Sequence, residues 1–243
     1  MTRHAEAEAQ PLYAQVKALL TERIGSGAWK PGDMLPNEFQ LAAEYHVSQG
    51  TMRKALIALE ADRLIVRRQG RGTFVARHTR EMALFHFFRM VDLAGRRVTP
   101  SSVALSQKTI KATKELAARL EIPHGAPLHA ITRIRMMKNV PAIFERIFVP
   151  VALMPDLAIG TGIEMVDEMY VIYQEQFGVT IAYAHERLAA TAATREEARH
   201  LGLEERAPLL EITRQGRDIA RKVAELRISR CRTDLFRYAT DVT

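Results

Sequence analysis

The chain of 243 residues has one cysteine, Cys231, which excludes an internal disulfide and any cysteine-rich zinc cage and reads as a small buried side chain. No stretch reaches the roughly 20 apolar residues that a membrane-spanning helix needs. Thr2, Arg3, Glu6, Glu8 and Gln10 stand where a secretory leader would carry its apolar block. The expectation is a cytoplasmic protein with no membrane partner. Catalytic signatures are also missing: there is no His-Glu-x-x-His, no P-loop, no nucleophile motif and no Cys/His metal spacing. The eight histidines, His4, His46, His78, His86, His124, His129, His185 and His200, are scattered. No catalytic residue, metal ligand or cofactor is expected.

What is present begins with an apolar fraction of 47%, enough for a real core in one or two domains. The net charge of +7 fits a polyanionic partner. Residues 1–80 hold twelve Lys/Arg against eight Asp/Glu, and Arg63, Arg67, Arg68, Arg71, Arg77 and Arg80 lie in an eighteen-residue run without an acid. A charge run is ordinarily a solvated face. The pattern around this one points to DNA instead.

Leu12, Val16, Leu19, Leu20 and Ile24 recur at helical spacing and are stopped by Gly25 and Gly27. Asn37 caps a second, short helix, with Gln40 as its capping-box partner and Leu41, Ala42 and Tyr45 inside. Ser48 caps a third, whose stripe is Met52, Ala55, Leu56 and Leu59. Two helices across a three-residue turn predict a helix-turn-helix. Gln49, Gly50, Arg53 and Lys54 fall off the apolar stripe, where DNA would meet them. Leu64 to Arg68 and Thr73 to Ala76 read as strands joined by Gln69-Gly70-Arg71-Gly72, a wing whose Arg68, Gln69, Gly70 and Arg71 can reach phosphate or the minor groove.

Taken together, Pro11-Leu12-Tyr13, Gly27 to Glu38, Leu41-Ala42, Val47-Ser48, Thr51 to Leu56 and Arg67 to Val75 closely resemble the GntR family of bacterial regulators across nearly all of residues 11–76. The resemblance implies a homodimer on double-stranded DNA with a pseudo-palindromic operator, and contacts at Ser48, Gln49, Gly50, Thr51, Arg53 and Gly70. Two positions depart from the family. Gln49 stands where many members have Arg; Arg favours guanine and Gln pairs bidentately with adenine, so a shifted half-site is expected. Phe39 replaces a polar contact and reads as a core aromatic.

The expected organisation is a winged domain at 1–76, a linker at 77–84 and a second domain at 85–243. Within the latter, Thr113 to Arg133 aligns without gaps to Thr194 to Arg214, with ten of twenty-one positions identical. Each copy reads as a Thr-capped helix, a turn, a strand and a returning strand (141–149; 222–230). A helix suggested by Met165, Met169, Ile172 and Tyr173 and a strand at 179–190 lie between them. These elements predict an α+β domain, an antiparallel sheet with helices on one face. The repeat and the phrase Glu145-Arg-Ile-Phe-Val-Pro150 resemble the UTRA effector domain of the HutC branch of GntR regulators, which shares the chorismate lyase fold; the likeness spans roughly 84–241.

In the first repeat strand Ile131, Arg133, Arg135 and Met137 share a face. The guanidiniums read either as an exposed basic strand with structural salt bridges or as a fork for an anionic ligand. Glu145 lies on an otherwise apolar face and needs a partner, an arginine or a ligand. Glu225 holds a similar place in the second repeat if one residue is skipped. The UTRA resemblance implies that Arg133, Arg135, Glu145 and Glu225 line an effector pocket. Phe87, Phe88 and Cys231 depart from the sugar-phosphate-binding members, leaving an organic acid or amino-acid-derived ligand equally open. The function expected is a DNA-binding regulator, a repressor, gated by a small anionic metabolite; the competing readings are a lyase-like enzyme and an architectural DNA-binding protein without effector.

Overall fold

A computed structural model describes residues 10–165 and 167–241, and the chain divides into two compact units at Arg77/His78. The expectation for the first nine residues lies outside the described ones. No helix among the described residues is long and apolar enough to cross a membrane.

The N-terminal unit comprises α1 (Leu12–Gly25), α2 (Glu38–Glu44), α3 (Gln49–Ala61), β1 (Ile65–Arg68) and β2 (Gly72–Val75). Their order follows from local chemistry. Asn37 Oδ1 accepts the Gln40 N–H at 2.9 Å, and Gln40 Oε1 accepts the Asn37 N–H at 3.0 Å, so α2 starts on a full capping box. Ser48 Oγ accepts the Thr51 N–H at 3.2 Å and starts α3. Val16, Leu20 and Ile24 of α1, Leu41 and Ala42 of α2 and Met52, Ala55, Leu56 and Leu59 of α3 are buried, the faces that periodicity marks. β1 and β2 pair antiparallel with Arg68 opposite Gly72. Gly70 closes the turn at φ 69°, where a side chain would be strained. Phe39 is a correction: it is 68% exposed at the start of α2, because Leu41 and Ala42 take the inward face that a 3.6-residue period then denies to it.

The C-terminal unit runs α4 (Arg80–Phe87), β3 (Met90–Asp92), β4 (Ser101–Lys111), α5 (Lys114–Leu120), β5 (Pro127–Met137), β6 (Val140–Pro150), α6 (Met169–Phe177), β7 (Ile181–Ala192), α7 (Arg195–Leu201), β8 (Pro208–Asp218), β9 (Val223–Arg232) and β10 (Phe236–Tyr238). A six-stranded antiparallel sheet has the order β4-β5-β6-β9-β8-β7. This order places the two copies of the repeat as halves, related by a pseudo-twofold between β6 and β9. Thr113 caps α5 and Thr194 caps α7, and both helices end on a left-handed residue at the equivalent positions Glu121 (φ 56°) and Gly202 (φ 64°).

Three features differ from the sequence-based expectations. Residues 80–84 of the expected linker are helical, the start of α4, capped by Thr79 Oγ1 accepting the Met82 N–H at 3.2 Å, because Ala83 and Phe87 of this helix are drawn into the core. Met165 lies ahead of α6 rather than in it. Helices cover both faces of the sheet. α5 and α7 pack on Leu128, Ile134, Phe144 and Leu226, while α6 packs on Ile131 and Ile147. The sheet needs both layers because β5 and β6 are buried on both sides.

The cap and the core of α7 should separate on mutation. In chemical denaturation of the full chain, Leu201→Ala is expected to cost about 2–5 kcal/mol as a cavity, and Thr194→Ala about 1 kcal/mol as a lost cap.

Candidate functional site

The two arginines of β5 are not on an exposed strand: Arg133 is 0% and Arg135 3% exposed. They lie on the α6 side of the sheet because Ile131, on the same side of β5, packs with Met169, Tyr170 and Tyr173 of α6. A buried guanidinium requires a counter-charge. Arg133 Nε donates to Glu145 Oε2 at 2.6 Å, directly across the β5–β6 ladder, and Ser229 Oγ donates to Glu145 Oε1 at 2.9 Å. Arg135 Nη2 donates to Glu168 Oε1 at 2.6 Å, and Phe88 lies against the guanidinium with its ring centre 4.7 Å away.

Glu225 collects a second group. Arg227 grips it with a fork, Nε to Oε1 at 2.9 Å and Nη2 to Oε2 at 2.8 Å, while Tyr170 and Tyr173 of α6 donate their hydroxyls at 3.1 and 2.7 Å. Arg227 Nη1 also stands 4.0 Å from Glu145, joining the two groups. Beside them Arg214 pairs with Glu186 at 2.5 Å and donates to the Phe87 carbonyl at the end of α4. Glu186 also accepts the Tyr238 hydroxyl at 2.6 Å. The structure thus brings all four expected residues into one charged layer. It adds Arg214, Arg227, Glu168, Tyr170 and Tyr173.

The repeat holds the signal for one of these, since Arg214 is the aligned mate of Arg133. Glu225 is not the mate of Glu145, which is a correction. In register Glu145 lies opposite Arg133, and Arg227 lies opposite Arg214. Glu168 and the tyrosines carried no recognisable signal, since a helix start and an apolar stripe were the only marks around them.

Burial raises the cost of charge on Glu145, but Arg133, Arg227 and Arg135 outweigh it and hold the carboxyl well below the usual range. Burial pushes Arg135 down to about 10, against the pull of Glu168, so it stays protonated at neutral pH. Burial and the adjacent Glu225 push Tyr170 up to about 12, which leaves its hydroxyl a donor. Burial also pushes the Cys231 thiol up, out of reach of thiolate chemistry at neutral pH.

Glu145 and Glu225 are bonded on both oxygens, whereas three donors of this layer are left over. Among the described residues Ser102 Oγ, Arg133 Nη2 and Arg135 Nε are buried with no hydrogen-bond partner in the chain. They are neighbours, because Ser102 lies opposite Arg135 and Ala104 opposite Arg133 on the β4–β5 ladder. A cleft of about 20 Å³ opens beside Arg135, walled by Phe87, Phe88, Arg135, Glu168, Tyr170 and Arg227, with room for about one water.

In the N-terminal unit Ser48, Gln49, Gly50, Arg53 and Lys54 are exposed around the start of α3, and Thr51 is half-buried. Ser48 Oγ lies 2.9 Å from Thr51 Oγ1, and Arg53 Nε donates to Glu38 Oε1 at 2.9 Å. Both interactions hold side chains already aimed away from the core. The turn Gln69-Gly70-Arg71 is exposed at the wing tip, and the Arg68 guanidinium lies 5.1 Å from the Phe74 ring centre.

Two family models match this chain: the gntR family of bacterial regulatory proteins over residues 12–75, and the UTRA domain over residues 95–237. The HTH-type transcriptional repressor NagR of Bacillus subtilis is 33% identical over 205 residues, covering 84% of this chain and 83% of that protein. The chain belongs to the GntR family. Its UTRA domain assigns it to the HutC branch, among transcriptional regulators rather than enzymes. A further relative, the probable fructoselysine utilization operon repressor of Escherichia coli, is 29% identical over 84% of each chain. In fold, this GntR regulator is similar to the ligand-binding domain of a GntR-family regulator from Bordetella bronchiseptica, with a TM-score of 0.61 at 24% identity, covering 69% of this chain and all of that one. It is also similar to the Bacillus subtilis regulator YydK, with a TM-score of 0.57 at 22% identity, covering 94% and 99%.

The regulator's buried charges should behave as a unit. Glu225→Ala leaves Arg227 without its fork in a dry site and is expected to cost about 3–5 kcal/mol. Arg227→Met added to it should recover much of that loss, which a double-mutant denaturation cycle will measure.

Proposed function

We propose that this GntR-family regulator is a cytoplasmic homodimeric repressor that holds a pseudo-palindromic operator through two winged units and changes its grip when an anionic metabolite enters the C-terminal cleft. The anionic assignment rests on the unpartnered donors. A buried N–H without a partner costs about 1–3 kcal/mol, and here two guanidinium N–H groups and a hydroxyl are left over in one place while Glu145 and Glu225 are already satisfied. An acceptor-rich ligand meets that demand, which a cationic one cannot. Repression is supported by the two relatives described above, both of them named as repressors.

On DNA, Gln49, Gly50, Arg53 and Lys54 meet base edges or phosphates from α3, Ser48 and Thr51 set its N-terminus against the backbone, and Arg68, Gln69, Gly70 and Arg71 supply the wing. The Arg53–Glu38 pair is exposed and therefore weak, so it can give way to a phosphate or a guanine.

The test is selection of bound DNA followed by titration. Gln49→Arg should move the preferred base in each half-site from adenine to guanine. Lys54→Ala should weaken all sequences alike and lower the salt slope by about 1. A cognate acid found in a metabolite panel should shift operator affinity by about 1–3 kcal/mol at fixed salt, and Arg135→Ala should abolish the shift. A bound acid that leaves operator affinity unmoved refutes the gating.

A further inference from the structure

We propose that Glu168 is a built-in competitor for the effector: its carboxylate occupies the seat on Arg135 that an incoming oxyanion, a carboxylate or a phosphate, must take over. The proposal rests on the reading of the cleft as an anion site.

Four carboxylates face the arginines, and they differ in how they are held. Glu145 lies in the middle of β6 between two ladders, and Glu225 takes four hydrogen bonds from three side chains. Glu186 is gripped by Arg214 and Tyr238 from a paired strand. Glu168 sits outside the sheet, on the residue before α6, with an extended backbone (φ −73°, ψ 146°) and no side-chain capping bond to that helix. Its one short contact is the 2.6 Å bond from Arg135 Nη2, since Arg133 Nη1 is 4.0 Å away. It is the carboxylate that can leave without breaking a strand.

The seat it occupies is imperfectly filled. With Glu168 in place, Arg133 Nη2, Arg135 Nε and Ser102 Oγ remain without partners. One carboxylate reaching in from the helix start serves one N–H and misses the others; a free oxyanion set deeper between the two guanidiniums can serve several. Volume makes the same argument. A cleft of about 20 Å³ holds a water, whereas small-molecule sites run to about 300–1,000 Å³. Glu168 and Phe88 both line the cleft and both lie on Arg135, so an entering ligand has to move what already covers that guanidinium.

Exchange of anions also has a consequence. Glu168 adjoins α6, and α6 carries the tyrosines that hold Glu225 and the Gln174 Oε1 that accepts the His78 N–H at 2.7 Å. Expelling Glu168 therefore acts on the helix that fixes the first residue after the N-terminal unit.

The experiment compares thermal shifts of the full chain and of Glu168→Gln with inorganic phosphate and, in a second arm, acetate, each against chloride at constant ionic strength. Removing the competitor makes the seat fully available, so Glu168→Gln should bind one of these anions at least about tenfold more tightly than the parent, and the gain should vanish in Glu168→Gln combined with Arg135→Ala. The arm that responds identifies phosphate or carboxylate as the seat's chemistry. Glu168→Asp, which keeps the charge but shortens the reach, covers the case in which the Gln variant does not fold, and should show a smaller gain. Equal or weaker anion binding by the folded variant overturns the role of Glu168. In that event, a panel acid whose binding still requires Arg135 leaves the anion site standing, and no acid binding to either protein removes both readings.

Discussion

Four arginines and four carboxylates sealed on one face of a β-sheet are the constraint around which the C-terminal unit is organised. Moving such charges out of water costs several kcal/mol per ion. The cost is tolerable only where forks and hydroxyls satisfy nearly every valence. The covering elements are accordingly tied to charges as well as to apolar side chains. α6 supplies Glu168, Tyr170 and Tyr173, α4 gives the carbonyl of Phe87 to Arg214, and β10 gives the hydroxyl of Tyr238 to Glu186. Apolar packing alone would let these elements slide. The ion pairs fix their register.

The internal duplication explains how the layer is assembled. Arg133 and Arg214 are equivalent, but the ladder places Glu145 across from the first and Arg227 across from the second. The pseudo-twofold therefore repeats the backbone and reverses the charge. The second half matches its two arginines with its own Glu186 and Glu225, whereas the strands of the first set Arg133 and Arg135 against Glu145 alone and Arg135 takes Glu168 from outside the sheet. The helices on the other face repeat faithfully down to the left-handed residue that ends them, because their task is the same in each half. The charged face is where the two halves differ.

The contrast between what was legible and what was not follows the range of the interactions. Caps at Asn37, Ser48, Thr113 and Thr194 were readable because a cap is decided within four residues. The burial of α3 was readable from its period. Arg133, Arg135 and Glu145 were visible as charges on an apolar face, but whether they were exposed or paired depended on strands β4, β6 and β9, whose registers are set by bulges at Ala104/Ser106 and Arg135/Met136. Phe39 is apolar enough for the core, but helical phase, set by Leu41 and Ala42, turns it outward. Residues 80–84 read as linker in the sequence because the partners that make a helix worthwhile there, Tyr170 and Arg214, come from distant parts of the chain.

His78 and α4 are anchored within the C-terminal unit. His78 donates its backbone N–H to Gln174, and its Nε2 lies 3.0 Å from the Ile181 carbonyl, a geometry that requires the proton on Nε2. Burial lowers the pKa of this ring, so it is neutral at physiological pH and holds that tautomer. Two residues on, α4 begins; it ends with Phe87 edge-on to Tyr170 at 4.9 Å and with Phe88 on Arg135. A ligand changes DNA affinity only through contacts that differ between two arrangements. The walls of the cleft and the anchors of the junction are here the same two helices. Any ligand large enough to displace Phe88 must alter α4, and any that displaces an acid from Arg135 must alter the start of α6.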